Sequence, residues 1–353
     1  MRRVLWLALA GCQAEYAIVA PVDVHPDEVT ECAFEAVDGA PEVERYTCNP
    51  VFVATDEPWA EELTAVTFGH TNVLDHPFYQ LWYFARTDDG PTAGYATSPD
   101  GTSFAPHPDN PQWPRTARDA WDGGLVQNAQ VTYDRSRETY LMLYGGISRD
   151  LQVFGLGVAT SPDGQRWATA PTNPVLDLRL LFGGVQIAWP MALEVADDGE
   201  VDAYMAATAD GDHLSMYRFA TDDPAAWLQP GEEVFGPGKA GRFDDQGLLD
   251  AAVVELDGVS YLFYVGFGRW EDDPTKGVRY ERDAFLGVAT STDGGHTWTR
   301  DRTDPLPVQV DPAGSISAVT AQVVGSHILL WVSDVYPEVG PGVGYFVYTP
   351  EAR

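Results

Sequence analysis

The chain has 353 residues, of which 21 are lysine or arginine and 53 are aspartate or glutamate, so its formal net charge is −32 at pH 7. Because such a charge repels phosphate backbones, it argues against nucleic acid as a partner. The length alone would suggest about two domains, but near copies of one motif along the chain favour a single repeat array.

The first twelve residues are typical of an export signal. Arg2 and Arg3 form a short positive segment, and residues 4–10 are apolar. This run is too short to cross a bilayer, which needs about 20 residues. The sequence Leu9-Ala10-Gly11-Cys12 resembles the lipobox of bacterial lipoproteins, which implies cleavage before Cys12 and acylation of its thiol. We therefore predict a signal peptide over residues 1–11 and a lipid anchor as the membrane contact, in the outer or the cytoplasmic membrane of a bacterial cell envelope, with the protein facing outside the cytoplasm.

Two cysteines remain after the anchor, Cys32 and Cys48. In the oxidising compartment that an export signal implies, such a pair favours a disulfide. A shared metal site is the weaker alternative, because no cluster of histidines and cysteines stands near them. Residues 12–41 are interpreted as an N-terminal tether and the start of the closure of the folded part of the chain.

Three segments repeat the pattern Ala-Thr-Ser, Asp-Gly and an aromatic residue, and a fourth repeats it in part. They cover residues 95–104, 158–167, 288–298 and, for the partial copy, 217–227. Each is typical of a strand, a tight turn and a second strand. Each is preceded by a very apolar strand and, before it, by an inner strand, and a fifth such pair of strands follows the last copy. The five inner strands are predicted near residues 70–74, 128–133, 189–195, 250–256 and 317–324.

Four antiparallel strands per unit are typical of a propeller blade. The fifth unit lacks its outer strand, because the chain ends soon after residues 344–348. We expect residues 42–47 to supply it, which closes the ring and removes two exposed sheet edges. The prediction is a monomeric, all-β, five-bladed β-propeller over residues 42–353. Its blades are placed at approximately 50–109, 110–172, 173–233, 234–303, and 304–353 with 42–47.

Two resemblances bear on function. Residues 291–298 resemble the Asp-box turn of sialidases, a structural motif. The chain as a whole, with Trp121-Asp122-Gly123-Gly124 and Phe243-Asp244-Asp245-Gln246 before inner strands, resembles the five-bladed glycoside hydrolases. These are the family 43 arabinanases and xylosidases and the invertase and levansucrase group of families 32 and 68. The resemblance implies an aspartate on blade one as base or nucleophile, a glutamate on a later blade as the general acid, and a second aspartate that tunes this acid.

Candidate site residues follow from where inner strands begin, since ligands of such propellers sit at the central mouth. The inner-strand starts are read as His70, Asn128, Trp189, Asp250 and Ser317, of which one is a carboxylate. Asp250, Asp122 and Asp244 are the candidate catalytic residues, because glycoside hydrolysis needs two carboxylates across one bond. Aromatic rings stack on sugars, so the candidate substrate-binding set is His70, Asn128, Trp189, Trp121, Trp270 and Arg282. The last two lie in a long loop predicted over residues 266–285.

Other interpretations remain open for several of these residues. Asp122 and Asp244 occupy matching positions in two blades, which also fits a structural role in capping crossover turns. The alternative for Trp189 is that it fills the channel, and for His70 that it packs or is hydrogen-bonded within the fold. We expect no cofactor; a Ca²⁺ ion in the channel would suit its acidic mouth, but no ligand spacing demands one. The leading hypothesis is a surface glycoside hydrolase that acts on a furanoside or another plant or microbial glycan. A non-catalytic carbohydrate-binding lipoprotein and an envelope protein-interaction propeller are the alternatives.

Overall fold

The computed structural model describes residues 32–53, 62–71, 78–87, 90–113, 119–182, 184–196, 198–227, 231–273, 278–309, 316–336 and 340–350. All regular secondary structure in these ranges is β-strand, and no helix there is long and apolar enough to cross a membrane. Ala33–Arg353 form one compact unit. Met1–Cys32 form another, of which only Cys32 is described.

The 24 described strands form five antiparallel sheets. Three strands precede the first blade: β1 (Phe34–Val37), β2 (Ala40–Tyr46) and β3 (Phe52–Val53). Blade one contains β4 (Glu62–Thr71), β5 (Phe78–Thr87), β6 (Gly90–Ser98) and β7 (Ala105–Pro106). Blade two contains β8 (Leu125–Asp134), β9 (Thr139–Ile147), β10 (Phe154–Ser161), β11 (Ala168–Thr169) and β12 (Leu176–Asp177).

The remaining blades follow the same order. Blade three contains β13 (Leu181–Phe182), β14 (Val185–Val195), β15 (Val201–Thr208), β16 (Ser215–Thr221) and β17 (Glu232–Phe235). Blade four contains β18 (Gly247–Leu256), β19 (Val259–Asp273), β20 (Val278–Ser291) and β21 (Thr299–Arg300). Blade five contains β22 (Ala318–Val324), β23 (His327–Tyr336) and β24 (Gly340–Tyr348).

The ring is closed by the N-terminal strand, as the sequence predicts. Strand β2 pairs with β24 in the register Val43 to Tyr348 and Arg45 to Phe346, and β1 adds a further outer strand to the same sheet. The inner strands contact one another in the cyclic order β4, β8, β14, β18, β22 and back to β4. The five-bladed, all-β propeller is therefore confirmed.

This topology gives the propeller two different faces. In blades one to four the chain turns back between the inner and second strands and again between the third and outer strands, so both turns lie on one face, called here the hairpin face. In blade five, whose outer strand comes from the N-terminus, only the turn between the inner and second strands is present. Connections between the second and third strands, and crossovers to the next blade, lie on the other, the crossover face. Each inner strand runs from the crossover face to the hairpin face.

The second strand of each blade packs on both sides, which explains its apolar sequence. A tyrosine of that strand lies over a glycine of the third strand in blades one, two and four. A Cβ atom placed on Gly94, Gly157 or Gly287 would stand 2.2–2.3 Å from the tyrosine ring carbon Cζ. The small residue is therefore required for this ring to lie flat on the sheet.

Two sequence-based placements are wrong. The first inner strand is Glu62–Thr71, not residues 70–74, so His70 lies at its end, opposite Tyr79, near the hairpin face. Residues 266–273 and 278–285 are not a loop, because β19 and β20 continue as paired strands through them. The many polar residues of this stretch are common in loops, but its two halves pair through their backbones as one long hairpin.

Candidate functional site

The inner strands are irregular near their crossover ends. The pairing register of β4, β8, β14 and β18 shifts within the first residues of each strand. Asn128, in the irregular part of β8, has φ of 47°, a left-handed conformation that asparagine tolerates better than most residues. Irregularities of this kind redirect side chains and are frequent beside binding sites. The crossover end of the channel is therefore the part of the ring that departs from regular sheet.

Asp250 lies in the channel and is only 2% exposed. Its Oδ2 accepts a hydrogen bond from the Val319 backbone N–H at 2.9 Å, and its Oδ1 accepts one from the Gln130 side-chain amide at 3.2 Å. Val319 belongs to the inner strand of blade five, whereas Gln130 belongs to that of blade two. The carboxyl of blade four thus connects three inner strands, and the bond to Gln130 joins blades that are not neighbours in the ring.

Burial governs the protonation of Asp250. Desolvation raises the pKa of its carboxyl well above the usual range, although the hydrogen bonds from Val319, Ala251 and Gln130 favour the ionised form. A buried carboxylate without a cation is costly, so the neutral acid is favoured. None of the contacts described for this group is with a cation. The channel therefore holds a carboxyl group that is disposed to keep its proton.

Trp189 stands beside Asp250 on the neighbouring inner strand. Its indole N–H donates to the carbonyl oxygen of Leu249 at 2.6 Å, and Leu249 directly precedes Asp250. The ring is partly exposed while one edge is fixed in this way. A fixed indole with exposed surface has the character of a stacking platform for a sugar ring.

Asp122 and Asp244 occupy equivalent places in blades two and four. The Tyr144 hydroxyl donates to Asp122 Oδ2 at 3.1 Å, and the Tyr264 hydroxyl donates to Asp244 Oδ2 at 3.0 Å. In both blades the residue before the aspartate stacks on that tyrosine: Trp121 on Tyr144 at 5.7 Å between ring centroids, and Phe243 on Tyr264 at 6.0 Å. The repeated aromatic-Asp pair thus holds the tyrosine that lies over a glycine of the third strand.

Both carboxyls are buried, and in each of them one oxygen, Oδ1, has no hydrogen-bond partner among the described residues. Burial raises the pKa of Asp122, against the effect of the Tyr144 hydroxyl. Asp244 has a cation instead, because Arg300 Nε lies 2.7 Å from its Oδ2. These contacts lie within each aspartate's own blade and its crossover. No hydrogen bond among the described residues joins either of them to Asp250.

The other predicted binding residues are dispersed. Trp270 lies in β19, and its indole N–H donates to the Asp212 carbonyl of blade three at 3.1 Å. Arg282 pairs through its backbone with Arg269 in the same hairpin, and only its backbone is described, as for His70. The hairpin therefore carries Trp270 towards blade three.

Gln130, which spans the channel, was missed by sequence reasoning because a single glutamine two residues after Asn128 carries no pattern.

The remaining predictions concern the three cysteines and a metal ion. Both Cys32 and Cys48 are disulfide-bonded, whereas Cys12 lies outside the described residues. Among the residues that the structure describes, no group of three or more histidine, cysteine, aspartate or glutamate side chains could hold a metal ion.

No protein-family profile and no curated protein matches the sequence. Solved structures match the fold. One, from work on a GH130 family of mannoside phosphorylases that contains hydrolases of β-1,2 mannosidic linkages, is 18% identical, with 94% of this chain and 97% of that chain covered and a TM-score of 0.58. A β-1,2-mannobiose phosphorylase from Listeria innocua is 12% identical, with coverages of 87% and 96% and a TM-score of 0.59. A thermostable family-43 glycoside hydrolase is 13% identical, with coverages of 82% and 91% and a TM-score of 0.58. At these identities the similarity shows the fold.

Proposed function

We propose that this protein is a carbohydrate-active propeller that binds an oligosaccharide at the crossover end of its central channel. The observation that carries the proposal is the Asp250 carboxyl, buried in the channel and bonded to the inner strands of blades two and five. Ring closure does not require an acid here, since the corresponding strand starts of blades two and five carry Asn128 and Ser317. A buried acid that the fold does not need is a candidate functional group.

Three further features support a sugar as the ligand. The partly exposed indole of Trp189 is fixed beside Asp250 and offers a stacking surface. Asn128, also partly exposed, adds an amide near the crossover end of β8, the inner strand of blade two. The solved structures that share the fold are named as glycoside hydrolases or phosphorylases. Aromatic surface with a few polar groups is the usual composition of a small-ligand site.

Hydrolysis of the bound glycan is the second candidate function, and the raised pKa of Asp250 favours it. A general acid must hold a proton at the working pH, and burial gives Asp250 that property. A glycosidic oxygen would accept the proton that Asp250 holds, at the side of the carboxyl where the Gln130 contact, at 3.2 Å, is longer than the Val319 contact, at 2.9 Å. The second carboxylate that hydrolysis needs is not supplied by Asp122 or Asp244 in this conformation, because both bond to tyrosines of their own blades.

A panel of plant and microbial polysaccharides tests both functions, with binding and the release of reducing ends measured separately. If Asp250 is the acid, Asp250→Asn should lower turnover by at least ~10²-fold with an unchanged melting temperature. Asp134→Asn is the matched control, because Asp134 is equally buried at the hairpin end of an inner strand. Binding of a glycan without the release of reducing ends would favour the alternative, a non-catalytic carbohydrate-binding protein. Failure to bind any glycan would contradict the proposal, and full activity in Asp250→Asn would direct the search to Glu281 and Asp283.

We also propose that the mature chain is held at the cell envelope by a lipid on Cys12. The support is the sequence Leu9-Ala10-Gly11-Cys12 after a short apolar run. Cys12→Ala should move the protein from the membrane fraction to the soluble fraction of cells that express it. A wild-type protein that is already soluble after signal cleavage would contradict the anchor.

A further inference from the structure

A pocket of about 430 Å³ lies at the crossover side of blade four, and neither Asp250 nor Trp189 is among the residues that line it. One wall is the chain that enters the blade, and the other is the chain that leaves its outer strand β21. Eight residues line it: Pro237, Gly238, Lys239, Arg242, Arg300, Asp301, Arg302 and Thr303. Four of the eight are cations, in a chain with only 21 lysines and arginines and a net charge of −32.

Two of these cations are held in place by the fold. Arg300 donates from Nε to Asp244 Oδ2 and from a terminal nitrogen to the Gly236 carbonyl at 2.6 Å, while its guanidinium lies 4.0 Å from the Phe235 ring centroid. Arg302 pairs with Glu42 and donates to the Gly39 carbonyl at 2.9 Å. The charges of Arg300 and Arg302 are thus largely offset by Asp244 and Glu42, and their side chains form fixed parts of the pocket wall.

The other two cations supply the uncompensated charge. In the described part of the chain, neither Lys239 nor Arg242 has a carboxylate within ion-pair distance; the side-chain bond of Arg242 is with the Thr303 hydroxyl at 3.5 Å. The carboxylate on the pocket wall, Asp301, accepts a hydrogen bond from Thr290. Although the chain has 53 acidic residues, Lys239 and Arg242 thus have no acidic partner of their own in the described part of the chain.

The local charge outweighs the acidic surface at short range. At physiological salt, exposed charges are largely screened beyond about 8 Å, so most of the net negative charge is weak at the pocket. A bound oxyanion would instead lie within contact distance of Lys239 and Arg242. Guanidinium and ammonium groups together suit carboxylate, sulfate or phosphate oxygens, which accept charge-assisted hydrogen bonds.

We infer that this pocket binds a compact oxyanion, either free in solution or carried by a glycan as a uronate carboxylate or a sulfate or phosphate ester. The volume accommodates a monosaccharide that carries such a group, since small-ligand pockets begin at about 300 Å³. The inference does not depend on Asp250 or on the proposed function of the channel.

Isothermal titration calorimetry at physiological ionic strength, where the acidic surface is largely screened beyond about 8 Å, tests the inference with four probes: inorganic phosphate, inorganic sulfate, a trimer of galacturonic acid and a neutral galactose trimer. The variant is Lys239→Gln with Arg242→Gln, which leaves no buried carboxylate without its partner. The matched control is Arg166→Gln with Arg269→Gln, which removes the same charge from exposed positions. Melting temperatures should agree for all three proteins.

The wild type should bind at least one of the oxyanions, and the pocket variant should lose about tenfold or more in affinity, while the control variant stays within about twofold. Binding of the inorganic ions assigns the pocket to a free oxyanion, and binding of the uronate trimer alone assigns it to a charged glycan. Asp250→Asn should leave this affinity unchanged, which separates the pocket from the channel. An equal loss in the control variant, or no binding of any oxyanion by the wild type, would overturn the inference.

Discussion

The hairpin face and the crossover face are built in different ways. On the hairpin face the same turn recurs in blades one, two and four, where the Ser98, Ser161 and Ser291 hydroxyls donate to Asp100, Asp163 and Asp293 at 2.9, 3.0 and 2.7 Å. On the crossover face, the residues near the starts of the inner strands differ from blade to blade. They include Asn128 in blade two, Trp189 in blade three and Asp250 in blade four. The repeated face is explained by local turn chemistry, whereas the variable face needs another explanation.

The repeated turns also join neighbouring blades. The Trp331 indole of blade five donates to the Gly101 carbonyl in the turn of blade one at 2.9 Å. The Trp82 indole of blade one donates to the Gly164 carbonyl of blade two at 2.6 Å. Repetition of sequence here serves the assembly of the ring. Function is therefore to be sought where the repeats diverge, at Asp250 and at the cationic pocket.

The largest effect should come from removing a tryptophan that joins two blades. Trp331 is 2% exposed and stacks on Tyr345 at 5.2 Å between ring centroids. Trp331→Ala should lower the free energy of unfolding by about 3–5 kcal/mol, measured by urea denaturation. Trp331→Phe keeps most of the ring and should cost less, mainly the bond to Gly101. A loss below about 1 kcal/mol in the alanine variant would mean that blade contacts of this kind do not hold the ring.

Urea denaturation of two Asp250 variants should separate the contribution of its hydrogen bonds to stability from that of its ionisable carboxyl. Asp250→Ala leaves the buried Val319 N–H without its acceptor and should cost about 1–3 kcal/mol. Asp250→Asn still accepts from Val319, and its amide can donate to Gln130 once the Gln130 amide is turned. At pH 8 we therefore expect the asparagine variant to be as stable as the wild type or more so. Strong destabilisation by asparagine would show that the fold itself requires the acid.

The sequence predicted the ring but only part of the candidate site, for a physical reason. Ring closure by residues 42–47 could be predicted, because a missing outer strand and an unused N-terminal strand must both satisfy their sheet edges. The channel position of Asp250 followed from the strand register. The Gln130 contact could not be predicted, because it joins blades two and four, and a single sequence gives no distance between them.

The extended hairpin of blade four shows the same limit. Residues 266–285 hold many charged and aromatic side chains, a composition common in loops, and their pairing became evident only from β19 and β20 together. The cationic pocket was also missed, since Lys239 and Arg302 are 63 positions apart in the sequence. Its one available signal was the rarity of cations in so acidic a chain.

A third prediction concerns pH and Glu194, which lies near the hairpin end of an inner strand. Burial raises the pKa of Glu194 from 4.5 to about 7, with further contributions from Asp202 and Glu255 and an opposing one from Arg218. Because the folded-state pKa is the higher one, the contribution of Glu194 to stability is complete below pH 4.5 and is lost as the pH rises through 7. Glu194→Gln should flatten this decline.

Melting temperatures between pH 4.5 and 8 measure the change in slope. Asp250 contributes a decline of the same sign, because its folded-state pKa is also raised. The double variant Glu194→Gln with Asp250→Asn should therefore be the least pH-dependent of the set. If the melting temperature of Glu194→Gln depends on pH in the same way as that of the wild type, Glu194 is hydrated and titrates normally.

The smallest effect should come from a single turn on the hairpin face. Burial alone would raise the pKa of Asp163, but hydrogen bonds from Arg166 N–H and Gln165 N–H outweigh it and lower the pKa to about 2. Asp163→Ala removes these acceptors and should cost about 1 kcal/mol, the usual effect of losing a side chain that caps backbone N–H groups. Asp163→Asn retains an acceptor oxygen and should cost less.

The degenerate turn of blade three provides the comparison for this last change. There Asp223 Oδ1 accepts one backbone bond, from Ala225 N–H at 3.0 Å, whereas Asp163 Oδ1 accepts two. Asp223→Ala should therefore cost less than Asp163→Ala at pH 7. The difference should vanish as the pH falls from 3.8 to about 2, because Asp163 then gains its proton and its bonds to the turn weaken. Equal losses at pH 7 would show that the aspartate of the repeat stabilises the turn by something other than these backbone hydrogen bonds.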